Sequence, residues 1–193
     1  MRAARVVRCY SNAGDVSHKK KLDMIKTLCK LPFGCDKAAK LLEETKQADA
    51  PVDLETYNAL MNSFSTLKRL DKVHKYFEEL QADSLSPDRE SFHILLRAEG
   101  AEKGLDNAWN VFYKMKKHNI QPNTDTYNEL LGVCDNLAAP PLAGDEILKE
   151  MKELGLPINI TSYNRLISAC AHQRNLEKAK QWFSQLKEEN LSP

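Results

Sequence analysis

The sequence of 193 residues has few of the features that mark several protein classes. It contains no run of about 18 apolar residues, so the sequence predicts no transmembrane helix. Seven glycines form no phosphate-binding loop, and seven glycines with eight prolines are too few for a low-complexity chain. The five cysteines form no CxxC pair, which argues against a disulfide framework or a zinc site and favours reduced thiols. The chain is therefore expected to fold as one domain or a short repeat array.

Positive charge is concentrated at the N-terminus. Residues 1–30 carry a net charge of +6 and residues 31–193 a net charge of −5. The first fourteen residues, "MRAARVVRCYSNAG", contain three arginines and no acid, which is typical of a mitochondrial transit peptide. We therefore predict a basic, transit-like arm over residues 1–18 and a mitochondrial location, with a plastid as an alternative. The other interpretation is a disordered basic arm of a cytosolic protein.

Two markers recur along the chain with the same period. Aromatic residues recur at intervals of 35, 35 and 36, at Tyr57, Phe92, Tyr127 and Tyr163. Prolines recur at intervals of 36, 35, 35 and 36, at Pro51, Pro87, Pro122, Pro157 and Pro193. A fixed period of this length is typical of a solenoid of repeated helical or strand units.

Each period predicts two helices. Apolar residues at helical spacing, such as Tyr57, Leu60 and Phe64, indicate the first helix, and a proline ends the second. Because neither helix could bury its apolar face alone, we predict an all-α solenoid of about five helix pairs. The predicted repeats cover residues 19–53, 54–88, 89–123, 124–159 and 160–193. The prolines in "AAPPLAGD" predict that the second helix of the fourth repeat is shifted by one residue.

The sequence resembles the pentatricopeptide repeat family. The shared features are the "TYN" start, the Leu-x-x-Ala opening of the second helix ("LDNA" from Leu105, "LEKA" from Leu176) and the "(I/L)xP" ending. The resemblance covers residues 19–193. It implies a right-handed α-solenoid whose first helices line a concave face, where RNA binds at about one base per repeat.

The resemblance also implies two base-facing residues per repeat. These are Asp23 with Asp53, Asn58 with Asp88, His93 with Asn123, Asn128 with Asn159, and Asn164 without a partner. The Asn58/Asp88 pair resembles a uracil-binding combination and the Asn128/Asn159 pair one for cytosine or another pyrimidine. Amides and carboxylates suit this role because they hydrogen-bond base edges. The alternative is that these residues only cap helices and turns.

Two departures from the family favour weak RNA binding. Acids stand where the family places an aliphatic wedge between bases, at Glu55, Glu90 and Asp125. The lysine that often contacts phosphate is replaced throughout, by Leu31, Thr66, Ala101, Asn136 and His172. Stacking on aromatic platforms contributes about 1–3 kcal/mol per base in other RNA-binding proteins, and such platforms are missing here.

The pattern of titratable residues indicates no active site, metal site or cofactor, so we expect a protein that is not an enzyme. Two functions stay open. One is an organellar protein that binds single-stranded RNA in RNA metabolism or translation. The other is a protein scaffold, an accessory subunit of an organellar ribosome or respiratory assembly. A nuclease is disfavoured because no carboxylate cluster could hold a metal ion, and no small-molecule substrate is expected.

Overall fold

A computed structural model describes residues 12–31, 33–48, 50–136 and 141–189. Within these ranges the chain forms ten α-helices and no strand. The helices are α1 (Asn12–Cys29), α2 (Cys35–Gln47), α3 (Leu54–Thr66), α4 (Leu70–Ala82), α5 (Arg89–Lys103), α6 (Leu105–Lys117), α7 (Thr124–Asn136), α8 (Pro141–Glu153), α9 (Ile160–His172) and α10 (Leu176–Glu188). The predicted all-α repeat fold is confirmed.

The helices form two rows. Each odd-numbered helix packs against the next odd-numbered helix and against the even-numbered helix that follows it. In the described backbone, successive even-numbered helices have no comparable contact. The odd-numbered helices, here called the inner row, therefore lie on the shorter, concave side of the array, and the even-numbered helices form the outer row.

Long charged side chains bridge the outer row where its helices stand apart. Arg69, directly before α4, contacts Asp36 of α2 at 3.0 Å. Lys178 of α10 contacts Asp145 of α8 at 2.6 Å. These ion pairs are partly solvent-exposed, and such pairs contribute little each. The outer row is therefore held mainly through its packing on the inner row.

The recurring aromatic residues form the centre of the core. Tyr57, Phe92, Tyr127 and Tyr163 are completely buried. Adjoining repeats are joined by aromatic contacts, because Phe77 packs edge-on against Phe92 and Phe112 against Tyr127, with centroid distances of 5.4 and 5.3 Å. The Tyr57 hydroxyl donates a hydrogen bond to Asp83, and this contact and burial raise the pKa of Tyr57.

Two helices differ in length or position from the simple period. The helix α1 begins at Asn12, seven residues before the predicted start of the first repeat at residue 19. The basic residues 1–11 lie outside the described residues. The helix α8 begins at Pro141, 36 residues after α6, so it is shifted by one residue as the two prolines predicted. Proline suits this first helical position because the missing N–H would be unpaired there in any case.

Candidate functional site

The predicted base-facing pair of the second repeat is joined by a hydrogen bond across the repeat junction. Asn58 Nδ2 donates to Asp88 Oδ1 at 3.1 Å. The Ser91 hydroxyl, at the start of α5, donates to Asn58 Oδ1 at 2.7 Å. These contacts use two of the four hydrogen-bonding positions of the Asn58 amide, so one N–H and one lone pair are left for a base edge.

The fourth repeat has the same arrangement with an amide in place of the carboxylate. Asn128 Nδ2 lies 3.5 Å from Asn159 Oδ1, and the Ser162 hydroxyl donates to Asn128 Oδ1 at 2.7 Å. Asn128 keeps 7% of its surface exposed, so only an edge of its amide can meet a ligand. The structure thus brings together two of the four predicted pairs by direct hydrogen bonds.

The pair of the third repeat is connected through a third side chain. His93 Nε2 lies 2.8 Å from Thr126 Oγ1, and the Thr126 backbone N–H donates to Asn123 Oδ1 at 3.0 Å. His93 is buried, and burial lowers its pKa, although the charge of Asp125 opposes this shift. The imidazole is therefore neutral at pH 7 and offers one donor and one acceptor nitrogen.

The first repeat is built differently. Asp53 contacts Lys26 at 3.0 Å, and Lys26 also contacts Glu55 at 2.5 Å. Within the described residues, no hydrogen bond or ion pair joins Asp23 to Asp53. Lys26 is thus paired with two carboxylates. In the fifth repeat, Asn164 is solvent-exposed on α9.

The second member of each predicted pair also caps the helix that follows it, and capping does not by itself exclude contact with a base. The side chain of Asp88 accepts the backbone N–H of Ser91, and that of Asn159 accepts the backbone N–H of Ser162. Burial alone would raise the pKa of Asp88, but hydrogen bonds from Ser91 and Asn58 outweigh it and lower that pKa. The Asp88 carboxylate is therefore ionised at pH 7.

A hydroxyl residue directly before each recurring aromatic was not singled out from the sequence. These buried residues are Thr56, Ser91, Thr126 and Ser162. Each contacts the cap of its own helix, and the last three also contact a base-facing residue of the preceding repeat. The recurrence of Thr or Ser before the aromatic was a signal that could have identified them.

Charged residues in the middle of the inner row were also missed. Arg97 of α5 donates to Asn62 Oδ1 at 2.7 Å and to Glu129 Oε1 at 3.2 Å. Arg165 of α9 lies across Gly132, with its guanidinium carbon 3.2 Å from the place where a Cβ would stand. Burial raises the pKa of Glu129, while the charges of Arg97 and Arg165 oppose that shift.

The acids at the wedge positions are solvent-exposed. Glu55, Glu90 and Asp125 each lie in the first turn of an inner-row helix, where a negative charge interacts favourably with the helix dipole. Glu55 is also paired with Lys26. Local stability therefore accounts for these acids, and they add negative charge beside the base-facing residues.

The described residues contain no group of three or more His, Cys, Asp or Glu that could hold a metal ion. Burial raises the pKa of the Cys134 thiol to about 11, so it is protonated at pH 7 and is a poor nucleophile. In the described part of the chain, no helix is long and apolar enough to cross a membrane.

The two rows and the polar contacts at their junctions define a helical-repeat protein. Three segments, residues 40–102, 77–136 and 146–193, match the pentatricopeptide repeat domain and together cover more than half of the chain. The chain therefore belongs to the pentatricopeptide repeat family.

Several solved structures share this fold. The pentatricopeptide repeat protein PPR10 from maize aligns with a TM-score of 0.71 at 23% identity over 90% of this chain and 24% of its own. A complex of PPR10 with an 18-nt psaJ RNA element gives a TM-score of 0.74 at 21% identity over 88% of this chain and 25% of its own. The chain thus spans about a quarter of the PPR10 length.

A third structure matches over nearly its whole length. It is the PPR domain of Arabidopsis thaliana protein-only RNase P 1 in complex with tRNA. Its TM-score is 0.69 at 18% identity, over 94% of this chain and 93% of that domain. At these identities the similarity shows the fold alone. Comparison with curated proteins gives no match.

Proposed function

We propose that this chain binds single-stranded RNA along its inner row of helices, with pyrimidine preference and without catalysing a reaction. The observation that carries the proposal is the hydrogen-bonded pair of residues at the junction after the second repeat and again after the fourth. In each pair, the amide of the first residue keeps hydrogen-bonding positions that a base edge could use. Membership of the pentatricopeptide repeat family supports the proposal, as do the similar folds of PPR10 bound to RNA and of the RNase P domain bound to tRNA.

The negative charges along the row set the expected strength. Asp88, Glu90 and Asp125 are all solvent-exposed at or beside the start of an inner-row helix, and each would repel the phosphates of a strand bound there. We therefore expect weak binding that is measurable at low salt and has a shallow salt dependence, because few cations along the row can neutralise phosphates. We place this activity in RNA metabolism or translation in mitochondria, with a plastid as the alternative, on the basis of the basic N-terminal sequence.

The test is a binding titration with a fluorescent, pyrimidine-rich RNA at low salt. The double variant Asn58→Ala/Asp88→Ala should weaken binding, because it removes both members of one pair. Lys75→Ala is a matched control, since Lys75 pairs with Glu43 on the outer row and should leave binding unchanged. Absence of binding by the wild-type protein at low salt would refute the proposal.

A second candidate is a protein scaffold within an organellar ribosome or respiratory assembly. The exposed acids Glu55, Glu90 and Asp125 favour it, because they line the inner row with charges suited to a basic protein partner. Gradient sedimentation of an organelle extract with and without RNase separates the candidates. Migration with a large complex that survives RNase supports the scaffold, whereas release by RNase supports RNA binding.

A further inference from the structure

Two arginines and one glutamate lie in the middle of the inner row. Arg97 on α5 contacts Glu129 on α7 at 3.2 Å, and the charge of Arg165 on α9 also acts on Glu129. Gly132, one turn beyond Glu129 on α7, has no side chain, and the Arg165 guanidinium occupies the space beside it. The three charged side chains thus belong to three successive inner helices.

These arginines lie next to the base-facing residues. Arg97 follows His93 by four residues, which places it on the same helix face one turn away. Arg165 lies across Gly132, which follows Asn128 by four residues on α7. A strand whose bases reach the base-facing residues would therefore pass its backbone close to both guanidinium groups.

The guanidinium group is well suited to a phosphodiester. It is planar, always charged, and donates several hydrogen bonds in a fork that matches phosphate oxygens. The family's usual phosphate-contacting lysine is missing from every repeat, so other cations must supply this contact. In the first repeat, Lys26 is already paired with Asp53 and Glu55. Arg97 contacts the carboxylate of Glu129, and the charge of Arg165 acts on the same carboxylate.

We propose that Arg97 and Arg165 form a binding site for RNA phosphates and that Glu129 is a built-in counter-ion that weakens it. The proposal rests on the RNA-binding function proposed above. The Glu129 side chain is only 21% exposed, so its charge is poorly screened and acts strongly on both arginines. Its carboxylate orients Arg97 and at the same time removes one positive charge from the site.

The test is Glu129→Gln, which keeps the shape of the side chain and an oxygen that can accept from Arg97. If one more phosphate is neutralised, the slope of log affinity against log salt should steepen by about 0.7, which is about fivefold tighter binding at 0.1 M salt. The probe is a labelled 12-nucleotide oligouridine, titrated from low to moderate salt. Glu146→Gln is the matched control, because it removes the same charge from an exposed position on the outer helix α8 and should change neither quantity.

The arginine variants give the opposite result. Arg97→Ala and Arg165→Ala should each weaken binding and make the salt slope shallower by about 0.7, largely independently of base identity. If the cluster is only a structural ion network, Glu129→Gln will lower the melting temperature and leave the salt slope unchanged, which overturns the proposal. Should Glu129→Gln fail to fold, the Arg165→Gln variant decides, since an unchanged slope there also overturns it.

Failure of the phosphate site is distinguishable from failure of RNA binding. Wild-type binding with an unchanged slope in all three variants overturns the phosphate site and leaves the proposed function standing. Absence of wild-type binding refutes the proposed function. In that case, binding gained by Glu129→Gln and lost again on adding Arg97→Ala would support the site, and no gain would overturn it.

Discussion

The N-terminal and C-terminal halves of the inner row use different residues for the same contact. Asp53 and Asp88 cap α3 and α5, whereas Asn123 and Asn159 cap α7 and α9. In each case an Oδ1 atom accepts the backbone N–H of the third helical residue, so either side chain can cap the helix. The two side chains differ towards a polyanion such as RNA, because the carboxylate is negatively charged and repels it, whereas the amide is neutral.

The difference in charge persists at neutral pH. Hydrogen bonds from Thr56 and Lys26 lower the pKa of Asp53, although burial alone would raise it, and Asp88 behaves in the same way. Both caps of the N-terminal half are therefore ionised at pH 7. Helix capping thus fixes the oxygen atom at this position, while the choice of Asp or Asn sets the charge that the inner row presents there.

The largest expected effect comes from removing the aromatic contact between α6 and α7, which joins the two halves. Phe112 of α6 is fully buried and packs against Tyr127 of α7, with a centroid distance of 5.3 Å. Phe112→Ala should lower the free energy of unfolding by about 3–5 kcal/mol, because it leaves a cavity at the junction. Since each repeat contacts only its neighbours, the two halves should also unfold more independently. Urea denaturation followed by circular dichroism measures both effects.

The control for this change is Phe183→Ala. Phe183 occupies the corresponding place on α10 and is 44% exposed, so its truncation should cost clearly less. Equal losses of stability for the two variants would contradict the assignment of Phe112 as the contact that joins the two halves.

A second prediction concerns a substitution that gives the N-terminal half a cap residue of the C-terminal half. Asp88→Asn gives the second repeat the amide pair found in the fourth, and the cap is kept because the amide oxygen still accepts the Ser91 N–H. The preferred base at that nucleotide should shift from uracil towards cytosine, by an amount in the range of about 1–3 kcal/mol typical of a good base contact. Competition titrations with RNAs that differ at one nucleotide measure the shift. An unchanged preference, with binding retained, would assign Asp88 to capping alone.

The smallest expected effect is the pH dependence of the caps. The pKa values of Asp53 and Asp88 are depressed on folding, so their stabilisation is present above the ordinary aspartate pKa of about 3.9. It is lost as the pH falls through the lower, folded-state values. The melting temperature of the wild-type protein should therefore fall more between pH 5 and pH 3 than that of Asp53→Asn/Asp88→Asn.

The reciprocal exchange is the control for the pH dependence. Asn123→Asp and Asn159→Asp should add acid sensitivity to the C-terminal half, because each introduces a titrating cap at the same position. Identical pH profiles for all these proteins would show that the caps do not contribute to the acid sensitivity of the fold.

Much of the fold could be predicted from the sequence because it depends on a period. The intervals between Tyr57, Phe92, Tyr127 and Tyr163 predicted the helix pairs, and the prolines before α8 predicted its one-residue shift. The resemblance to the pentatricopeptide repeat family implied which residues form a pair at each junction, and Asn58 and Asp88 are joined by a hydrogen bond there.

The contacts that could not be predicted are those that do not repeat. Asn62, Arg97 and Gly132 occupy the same position in three successive repeats. The side chain at this position is therefore an amide, then a guanidinium group, and then absent. The Arg97–Glu129–Arg165 cluster arises from side chains that reach across neighbouring helices, and a pattern within one repeat contains no information on such contacts. The period did not predict the start of α1 at Asn12, because the corresponding residues one period later, 47–53, are the end of α2 and the residues between α2 and α3.

Photocrosslinking is the most direct test of whether RNA lies along the inner row. The wild-type protein is mixed with 4-thiouridine-containing single-stranded RNA at low salt, irradiated, and the crosslinked peptides are identified by mass spectrometry. We expect crosslinks in peptides of α3, α5, α7 and α9 that contain Asn58, His93, Asn128 and Asn164. Crosslinks confined to the outer helices α4, α6, α8 and α10, or no crosslinks at all, would contradict it.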